Sequence, residues 1–312
     1  MDNNLKDIRD AFFGEIYKII ASDKNAVFIA DDIDAFVLQR LKKDFSNQYI
    51  NIGVAEQNLM NVAAGLATSG KKVFVYGICS YITSRCYEQI KFSICSMKLP
   101  VVIIGAGAGF SFPFDGPTHH ATIDIGIMRL LPEITILNPI DTNSAKYSAQ
   151  VAYTSSSPVY VRLDKGKHNN IYKNENEAKR GFKEIFNARK KNVISTGYMS
   201  QVLLRLFEEN QNLTQEFGLF DIYQIKPLPS KFLKKIEKSK VIITIEENSL
   251  SGGLGTIITE YIADNKLKIK LKRIASRDEQ FFAYGSREHL LKINKLNRHF
   301  LLEYLNEDHK FR

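Results

Sequence analysis

The first half of the chain alternates short apolar runs with longer stretches in which apolar residues recur every three or four positions. The runs, rich in β-branched residues, predict β-strands, and the longer stretches predict amphipathic helices. This alternation predicts a mostly parallel sheet with helices on both faces. The predicted strands are 26–30, 49–53, 72–76, 101–105, 134–137 and 159–162, and the predicted helices are 7–21, 56–68, 84–97 and 142–153.

The second half repeats the alternation on a smaller scale, after a polar segment rich in Asn and Lys. We therefore predict a first domain at 1–166, a linker at 167–191 and a second domain at 192–312. The fold class is α/β, with each domain a mostly parallel sheet flanked by helices. The predicted strands of the second domain are 192–195, 218–223, 241–246 and 269–274, and its helices are 201–209, 230–238 and 254–263.

Composition and charge agree with two domains. The chain has 312 residues, 44% of them hydrophobic, which is enough for two cores. Residues 1–165 hold 16 Lys and Arg against 16 Asp and Glu, whereas residues 166–312 hold 27 against 18, so the net charge of +9 lies in the second half. The basic residues alternate with apolar ones, as on solvated faces, without a nucleic-acid-binding motif or a basic stripe with interleaved aromatics. We expect no nucleic acid partner.

The sequence gives no sign of a membrane, a metal site or disulfide bonds. No apolar run approaches the roughly 20 residues that span a bilayer. The segment 1–9 is too charged for a signal peptide, so we expect a cytoplasmic protein with no membrane partner. Cys79, Cys86 and Cys95 lack metal-ligand spacing and nearby histidines, which predicts buried thiols in the core.

One carboxylate, Glu56, stands where the predicted strand 49–53 passes into the predicted helix 56–68. In the first turn of a helix, a negative charge complements the helix dipole. The same position lies close to the carboxyl end of a strand, where open α/β sheets bind ligands. Taken alone, these residues leave both interpretations open.

A second motif, 105–120, follows the strand 101–105 and therefore opens at the same edge of the sheet. Its glycines permit close backbone approach, and Asp115 with the following Gly-Pro predicts a tight turn. This turn brings His119 and His120 to the rim, where a histidine donates a hydrogen bond or relays a proton near neutral pH. Adjacent loop histidines are also common as solvated polar residues, but their shared edge with Glu56 favours a functional site.

Five segments resemble, in order and spacing, motifs of the pyrimidine-binding and C-terminal domains of transketolases and of the related deoxyxylulose-phosphate synthases. They are Gly-Val-Ala-Glu-Gln-Asn at 53–58, Arg-Cys-Tyr-Glu-Gln-Ile at 85–90, Asp-Gly-Pro-Thr-His at 115–119, Val-Arg-Leu-Asp-Lys-Gly at 161–166 and the glycine-rich 246–255. The resemblance covers nearly the whole chain, and it implies the fold of those two domains.

The resemblance also implies a cofactor, thiamine diphosphate, and catalytic roles for two residues. Glu56 matches the glutamate that hydrogen-bonds N1′ of the aminopyrimidine and drives the tautomer that removes the thiazolium proton. His119 matches the histidine that contacts the donor's oxygen.

Further substrate contacts are implied at Asp115 for a sugar hydroxyl, at Arg162 for a phosphate, and at Arg85, with His120 beside them on the rim. Each has a simpler interpretation: Arg85 pairs with Glu88 on its helix, or Arg162 only ends a strand.

Two departures from the family matter. Where a phenylalanine usually stacks on the aminopyrimidine, this chain has Ile82 with Tyr81 beside it, so either residue is a candidate for the cofactor-binding surface. The loop 105–114 lacks the histidine of large transketolases and the arginine of the synthases. We therefore expect an acceptor held differently from either branch.

A third departure is the Gly-Asp-Gly motif that binds the diphosphate through Mg²⁺ in transketolases, which is not found in this sequence. The residues ahead of Glu56 already form the first helix and strands of its own domain. The resemblance thus implies a separate diphosphate-binding N-terminal subunit that carries the metal ligands. A dimer of heterodimers, a heterotetramer, is the expected active form.

We therefore predict a subunit of a transketolase-like transferase of carbohydrate metabolism that moves a two-carbon ketol unit from a ketose to an aldose. The substrates are sugars or sugar phosphates that the sequence does not identify. The alternatives are the β subunit of a 2-oxoacid dehydrogenase first component, which Asp-Gly-Pro-Thr-His at 115–119 disfavours, and a deoxyxylulose-phosphate synthase. Outside this class stand a noncatalytic scaffold subunit and a basic nucleic-acid-associated protein.

Overall fold

Strands and helices alternate along most of the described part of the chain, residues 7–33 and 35–307 of a computed structural model. The strands are β1 (Ala26–Ala30), β2 (Tyr49–Asn51), β3 (Lys72–Ile78), β4 (Val101–Ala106), β5 (Thr135–Leu137), β6 (Val159–Leu163), β7 (Phe182–Phe186), β8 (Lys191–Ser195), β9 (Phe217–Ile222), β10 (Gln224–Lys226), β11 (Val241–Ser249) and β12 (Lys270–Ser276).

The helices are α1 (Ile8–Ser22), α2 (Phe36–Asp44), α3 (Glu56–Thr68), α4 (Tyr87–Gln89), α5 (Asp124–Arg129), α6 (Thr142–Thr154), α7 (Glu175–Ala178), α8 (Tyr198–Glu209), α9 (Gln211–Glu216), α10 (Ser230–Ile236), α11 (Leu254–Asp264), α12 (Arg287–Ile293) and α13 (Arg298–Asn306). The short α4 lies between two π-helical runs, Tyr81–Arg85 and Ile90–Cys95, and we call residues 81–95 the π segment.

The strands form two sheets. The first has the order β10-β5-β6-β4-β3-β1-β2, parallel except for β10, and the second has the order β12-β11-β8-β9-β7, parallel except for β7. This confirms the predicted fold class. Each strand and helix predicted above is present with ends within three residues, the helix predicted at 84–97 being the π segment.

Successive side chains of a strand point to opposite faces of the first sheet, and helices cover both faces. On β3, Val73 and Val75 join the core beneath α3, whereas Phe74 and Tyr76 join the core beneath α1, α2 and α6. A strand that is buried on both faces carries apolar residues on both sides. Its sequence is therefore a nearly continuous apolar run and not an alternation of apolar and polar residues.

The segment 167–191, predicted as a linker, is more structured than its polar sequence suggests. It contains α7 and the whole of β7, which pairs antiparallel with β9 at the edge of the second sheet. The sequence does not reveal this strand because Lys183 and Glu184 interrupt its apolar residues at the edge of the sheet.

Three features join the two halves. Strand β10 comes from the second half and pairs with β5 of the first sheet. A continuous apolar cluster includes Ile103 of the first sheet and Phe220 of the second. In addition, Arg287 of α12 donates two hydrogen bonds to Asp164 at 2.8 and 2.9 Å and two to Glu247 at 2.6 and 2.8 Å.

We predict that Arg287→Ala lowers the free energy of unfolding by about 3–5 kcal/mol, since it leaves two buried carboxylates without their cation. Chemical denaturation followed by circular dichroism measures this loss. Arg40→Ala is a matched control, because Arg40 pairs with Asp44 on the surface of α2 and its removal should change stability little. A loss below about 1 kcal/mol for Arg287→Ala would show that the ion cluster does not hold the halves together.

Candidate active site

The site lies where the winding of the first sheet reverses. From β1 the chain moves outward to β2 and then returns past β1 to β3, so the connections after β1 and β3 leave on opposite sides. A crevice forms at the carboxyl ends of two such strands. Asp31 directly follows β1, the π segment follows β3, and the loop after β2 leads into α3.

Glu56 is the first residue of α3 and is only 2% exposed. The positive end of the helix dipole favours its negative charge there. Arg85 of the π segment donates a hydrogen bond from Nη1 to Glu56 Oε1 at 2.6 Å, and the side chain of Arg85 remains 46% exposed. The glutamate is therefore shielded from water, whereas its partner reaches solvent.

A second buried carboxyl, Asp31, faces the same crevice. Burial, with the nearby charge of Glu56, raises the pKa of Asp31 to about 8. A side chain at Gly77 on β3 would meet both Asp31 and Ile82, with an added Cβ only 2.3 Å from Asp31 Oδ2 and 2.2 Å from Ile82 Cγ2. The absence of a side chain at Gly77 thus lets the two elements close around this carboxyl.

The π-helical run beginning at Tyr81 places two polar groups together. In this run, the Arg85 guanidinium lies 4.3 Å from the centre of the Tyr81 ring. Ile82 turns the other way and is fully buried in the core beneath α3. Of the two candidates for the cofactor-binding surface, Tyr81 is therefore the one that is partly exposed and lines the cleft.

The loop 105–120 is held between the two halves. Phe110 is fully buried in the core of the second half, and the hydroxyl of Ser80 donates to the Thr118 carbonyl at 2.6 Å. These contacts bring His119 next to the π segment: its Nδ1 lies 3.4 Å from the Tyr81 hydroxyl and 2.9 Å from Thr118 Oγ1. Glu56, Arg85, Tyr81 and His119 consequently form one chain of contacts.

His120 points inward instead. It is 6% exposed, packs edge-on against Phe110 at 5.2 Å, and among the described residues neither ring nitrogen makes a well-formed hydrogen bond. Burial is the main cause that lowers the pKa of His120 below its ordinary value. An imidazole whose neutral form is favoured therefore lies at the wall of the cleft described next.

A cleft of about 480 Å³ opens between these elements. Its wall combines hydroxyl, amide and imidazole groups with one guanidinium, that of Arg85, and one carboxylate, that of Asp124. The residues are Ser80, Tyr81, Thr83, Ser84, Arg85, Pro117, Thr118, His120, Ala121, Thr122, Ile123, Asp124 and Gln280. Asp115 is exposed on the same loop beyond the cleft wall.

Arg162 is not brought to the cleft. It is 2% exposed and donates to Asp124 at 2.5 and 3.0 Å, to the Ala121 carbonyl at 3.1 Å and to Asn248 at 3.1 Å. A contact between Arg162 and a substrate phosphate stays a prediction, and it would need Asp124 to move away.

The three cysteines are buried, as predicted, and burial raises the pKa of Cys79 and Cys86 to about 12. Across the described residues, no group of three or more His, Cys, Asp or Glu is arranged to hold a metal ion. None of the helices described is both long and apolar enough to cross a membrane.

Sequence reasoning missed two residues of the site. Asp31 carried a usable signal, because it follows an apolar strand and so reaches the same edge as Glu56. Gln280 carried none, since it lies in a loop of the second half and reaches the cleft only through tertiary packing.

The fold is thus a two-domain α/β architecture with two buried carboxyls, Asp31 and Glu56, at the switch point of its first sheet. The transketolase pyrimidine-binding domain matches residues 6–170, and the transketolase C-terminal domain matches residues 189–299. The chain belongs to the transketolase family, which confirms the family indicated by the five motifs.

Named relatives differ in length. A Methanocaldococcus jannaschii protein named as a transketolase C-terminal section is 33% identical, over 86% of this chain and 85% of that protein. A subunit of the apulose-4-phosphate transketolase of Phocaeicola vulgatus is 28% identical, over 87% of this chain and 88% of that protein. 1-Deoxy-D-xylulose-5-phosphate synthase of Clostridium tetani is 29% identical over 94% of this chain but 47% of the synthase. The chain thus spans about half of that synthase.

Solved structures share the fold. One described as a split gene transketolase, inactive beta4 tetramer, superposes with a TM-score of 0.86 at 24% identity, over 98% of this chain and 99% of that chain. Transketolase from Leishmania mexicana gives a TM-score of 0.82 at 13% identity, over 99% of this chain and 46% of that chain.

We predict that Asp31→Asn weakens the pH dependence of stability. With a pKa of about 8 when folded and near 4 when unfolded, Asp31 holds a proton only in the folded chain between those values. Its contribution to stability is therefore present below pH 4 and lost as the pH rises towards 8. Between pH 5 and pH 8 the original chain should therefore lose about 3–4 kcal/mol of stability that the variant does not lose.

Thermal unfolding at the two pH values measures this difference, with Asp32→Asn at the exposed neighbouring carboxyl as the control. An equal pH dependence in Asp31→Asn and the original chain would mean that Asp31 is not protonated in the folded state.

Proposed function

We propose that this chain is one subunit of a thiamine-diphosphate-dependent transketolase, which transfers a two-carbon ketol unit from a ketose to an aldose. The observation that carries the proposal is the position of Glu56. A carboxylate shielded from water at the switch point, beside an open cleft of hydroxyl, amide and imidazole groups, has the environment that proton exchange with a cofactor ring requires.

The residues present fit an aminopyrimidine ring. Glu56 would offer a carboxylate oxygen to the ring nitrogen N1′, and Tyr81 would offer a ring face beside Arg85, whereas Ile82 lies in the core behind them. Asp31 Oδ1 is buried and makes no hydrogen bond to any described residue, so a polar ligand group could satisfy it. Family members generally use thiamine diphosphate, which is consistent with this fit.

Bound thiamine diphosphate would supply an acidic thiazolium carbon as the nucleophile for ketol transfer. Glu56 would share a proton with N1′, which a neutral amide could not do. Arg85 balances the charge of the glutamate and at the same time lines the cleft, with its side chain 46% exposed.

On the substrate side, we assign His119 to the donor's oxygen. Its contacts with Tyr81 and Thr118 fix the orientation of the ring. Asp115 on the exposed part of the loop would accept from a sugar hydroxyl, and Arg85 would receive an anionic end of the sugar. His120 would contribute a neutral donor or acceptor to the wall.

The proposed partner is a separate diphosphate-binding subunit that carries the Mg²⁺ ligands, in a heterotetramer. The names of relatives support this arrangement, since two of them are single subunits of apulose-4-phosphate transketolases and match most of this chain. A cytoplasmic location also stays a proposal.

Reconstitution tests the function. The chain is mixed with its candidate partner, thiamine diphosphate and Mg²⁺, and ketol transfer from ketose phosphates to aldoses is assayed. Transfer that requires both chains supports the proposal. Carbon dioxide release from pyruvate would point to the synthase or the 2-oxoacid dehydrogenase alternative, and a mixture without either activity would favour a scaffold.

We predict that Glu56→Gln lowers kcat at least about 100-fold, because the amide cannot exchange a proton with N1′. The fold should persist, since the freed guanidinium of Arg85 is close to solvent. Steady-state kinetics of the reconstituted enzyme, with near-ultraviolet circular dichroism as a check of folding, measure both effects.

Glu88→Gln is the matched control for Glu56→Gln, because Glu88 is an exposed glutamate of the π segment. It should retain full activity. A Glu56→Gln enzyme as active as this control would remove Glu56 from the mechanism.

A further inference from the structure

We infer that Gln280, a residue of the second half, contacts the sugar substrate in the cleft and helps to select it by hydrogen bonding to a hydroxyl group. The inference rests on the proposed function, because it names a substrate contact of the same cleft. Through Gln280, the second half of the chain takes part in substrate recognition as well as in stability.

The loop that follows β12 is fixed next to the cleft by an aromatic contact. Phe281 is 6% exposed and packs edge-on against Phe110, with ring centres 5.6 Å apart. Phe110 in turn packs against His120 on the cleft wall. An aromatic pair of this kind gives about 0.5–1.5 kcal/mol beyond its buried area, so it fixes the loop at the cleft.

Gln280 directly precedes this anchor and is exposed. It is one of the residues that line the cleft, together with Tyr81, Arg85 and His120. The backbone leading to it is also held, because the Arg277 amide donates to Asn294 Oδ1 at 3.0 Å and the Glu279 amide donates to the Arg277 carbonyl at 2.9 Å. Gln280 is thus held at the cleft wall by a supported loop.

The chemistry of the wall indicates the class of ligand. A glutamine amide both donates and accepts, and beside it lie hydroxyls of Ser80 and Thr118 and the buried imidazole of His120, whose nitrogens lack a well-formed hydrogen bond within the described chain. Groups that both donate and accept suit a polyhydroxyl ligand. A purely anionic ligand would need more cations than Arg85 alone.

The anchor also explains why Gln280 rather than its neighbours makes this contact. Glu279 pairs with Arg277 at 2.6 Å in an exposed ion pair, and Phe282 and Tyr284 on the other side of Phe281 are about 80% exposed and absent from the cleft wall. Gln280 is the residue of this loop that lines the cleft.

A labelling experiment tests this contact without relying on turnover. The chain's three cysteines are buried, so Gln280→Cys adds an exposed thiol, and Glu279→Cys adds one next to it as the matched control. Each variant is assembled with its partner and thiamine diphosphate and is treated with a maleimide. Labelling rates are compared with a ketopentose phosphate, the unphosphorylated ketopentose, inorganic phosphate or no addition.

We expect both ketopentoses to slow labelling at position 280 at least threefold and to leave position 279 unchanged. Equal rates at position 280 with and without sugar would overturn the inference, as would protection by inorganic phosphate equal to that by the ketopentose phosphate. Protection by sugar in a complex that shows no ketol transfer would instead retain the contact and remove the proposed function.

Kinetics provide a second readout in an active complex. Gln280→Ala removes one neutral hydrogen bond, so KM for the sugar should rise about 3–10-fold, with kcat within about twofold of the original. Glu279→Ala should leave both constants unchanged. An unchanged KM in Gln280→Ala for every sugar tested would contradict selection by this residue.

Discussion

The ion pair between Glu56 and Arg85 joins the two elements on which the site depends. Glu56 starts α3 and Arg85 ends the first π-helical run, so their 2.6 Å contact bridges the crevice at the switch point. A buried carboxylate without a cation would be costly, and Arg85 offsets that cost while remaining half in solvent. The same arginine lies against the Tyr81 ring, which contacts His119. One interaction therefore positions Glu56, Tyr81 and His119 relative to one another.

The second half of the chain acts on this site through buried contacts. Strand β10 extends the first sheet, Arg287 joins Asp164 to Glu247, and Phe110 from the site loop packs into the second core. Because a close-packed interface transmits displacement rather than absorbing it, the position of the site loop depends on the docking of both halves. This dependence gives a physical reason for the two domains to occur in one chain.

Most of the strands and helices, and the position of Glu56, could be predicted from the sequence. The exceptions have physical reasons. The buried strands of the first sheet are mainly apolar runs, and Glu56 stands at a strand-to-helix junction. Local sequence pattern was therefore enough to locate them. Edge strand β7 is interrupted by Lys183 and Glu184, and the short β10 has a single apolar residue, so neither stands out. The π-helical run that begins at Tyr81 is only five residues long, too short to show a periodic pattern. Gln280 depends on long-range packing through Phe281. The burial of Arg162 depends on Asp124, 38 residues earlier in the chain.

The central claim is that this chain carries the carboxylate side of a cofactor site whose metal side lies on another chain. Equilibrium dialysis of thiamine diphosphate with Mg²⁺ tests it most directly, with this chain alone, the partner alone and the two together. We expect Mg²⁺-dependent retention of the cofactor by the mixture and weak retention by either chain alone. Retention by this chain alone as tight as by the mixture, or no retention by the mixture, would contradict the claim.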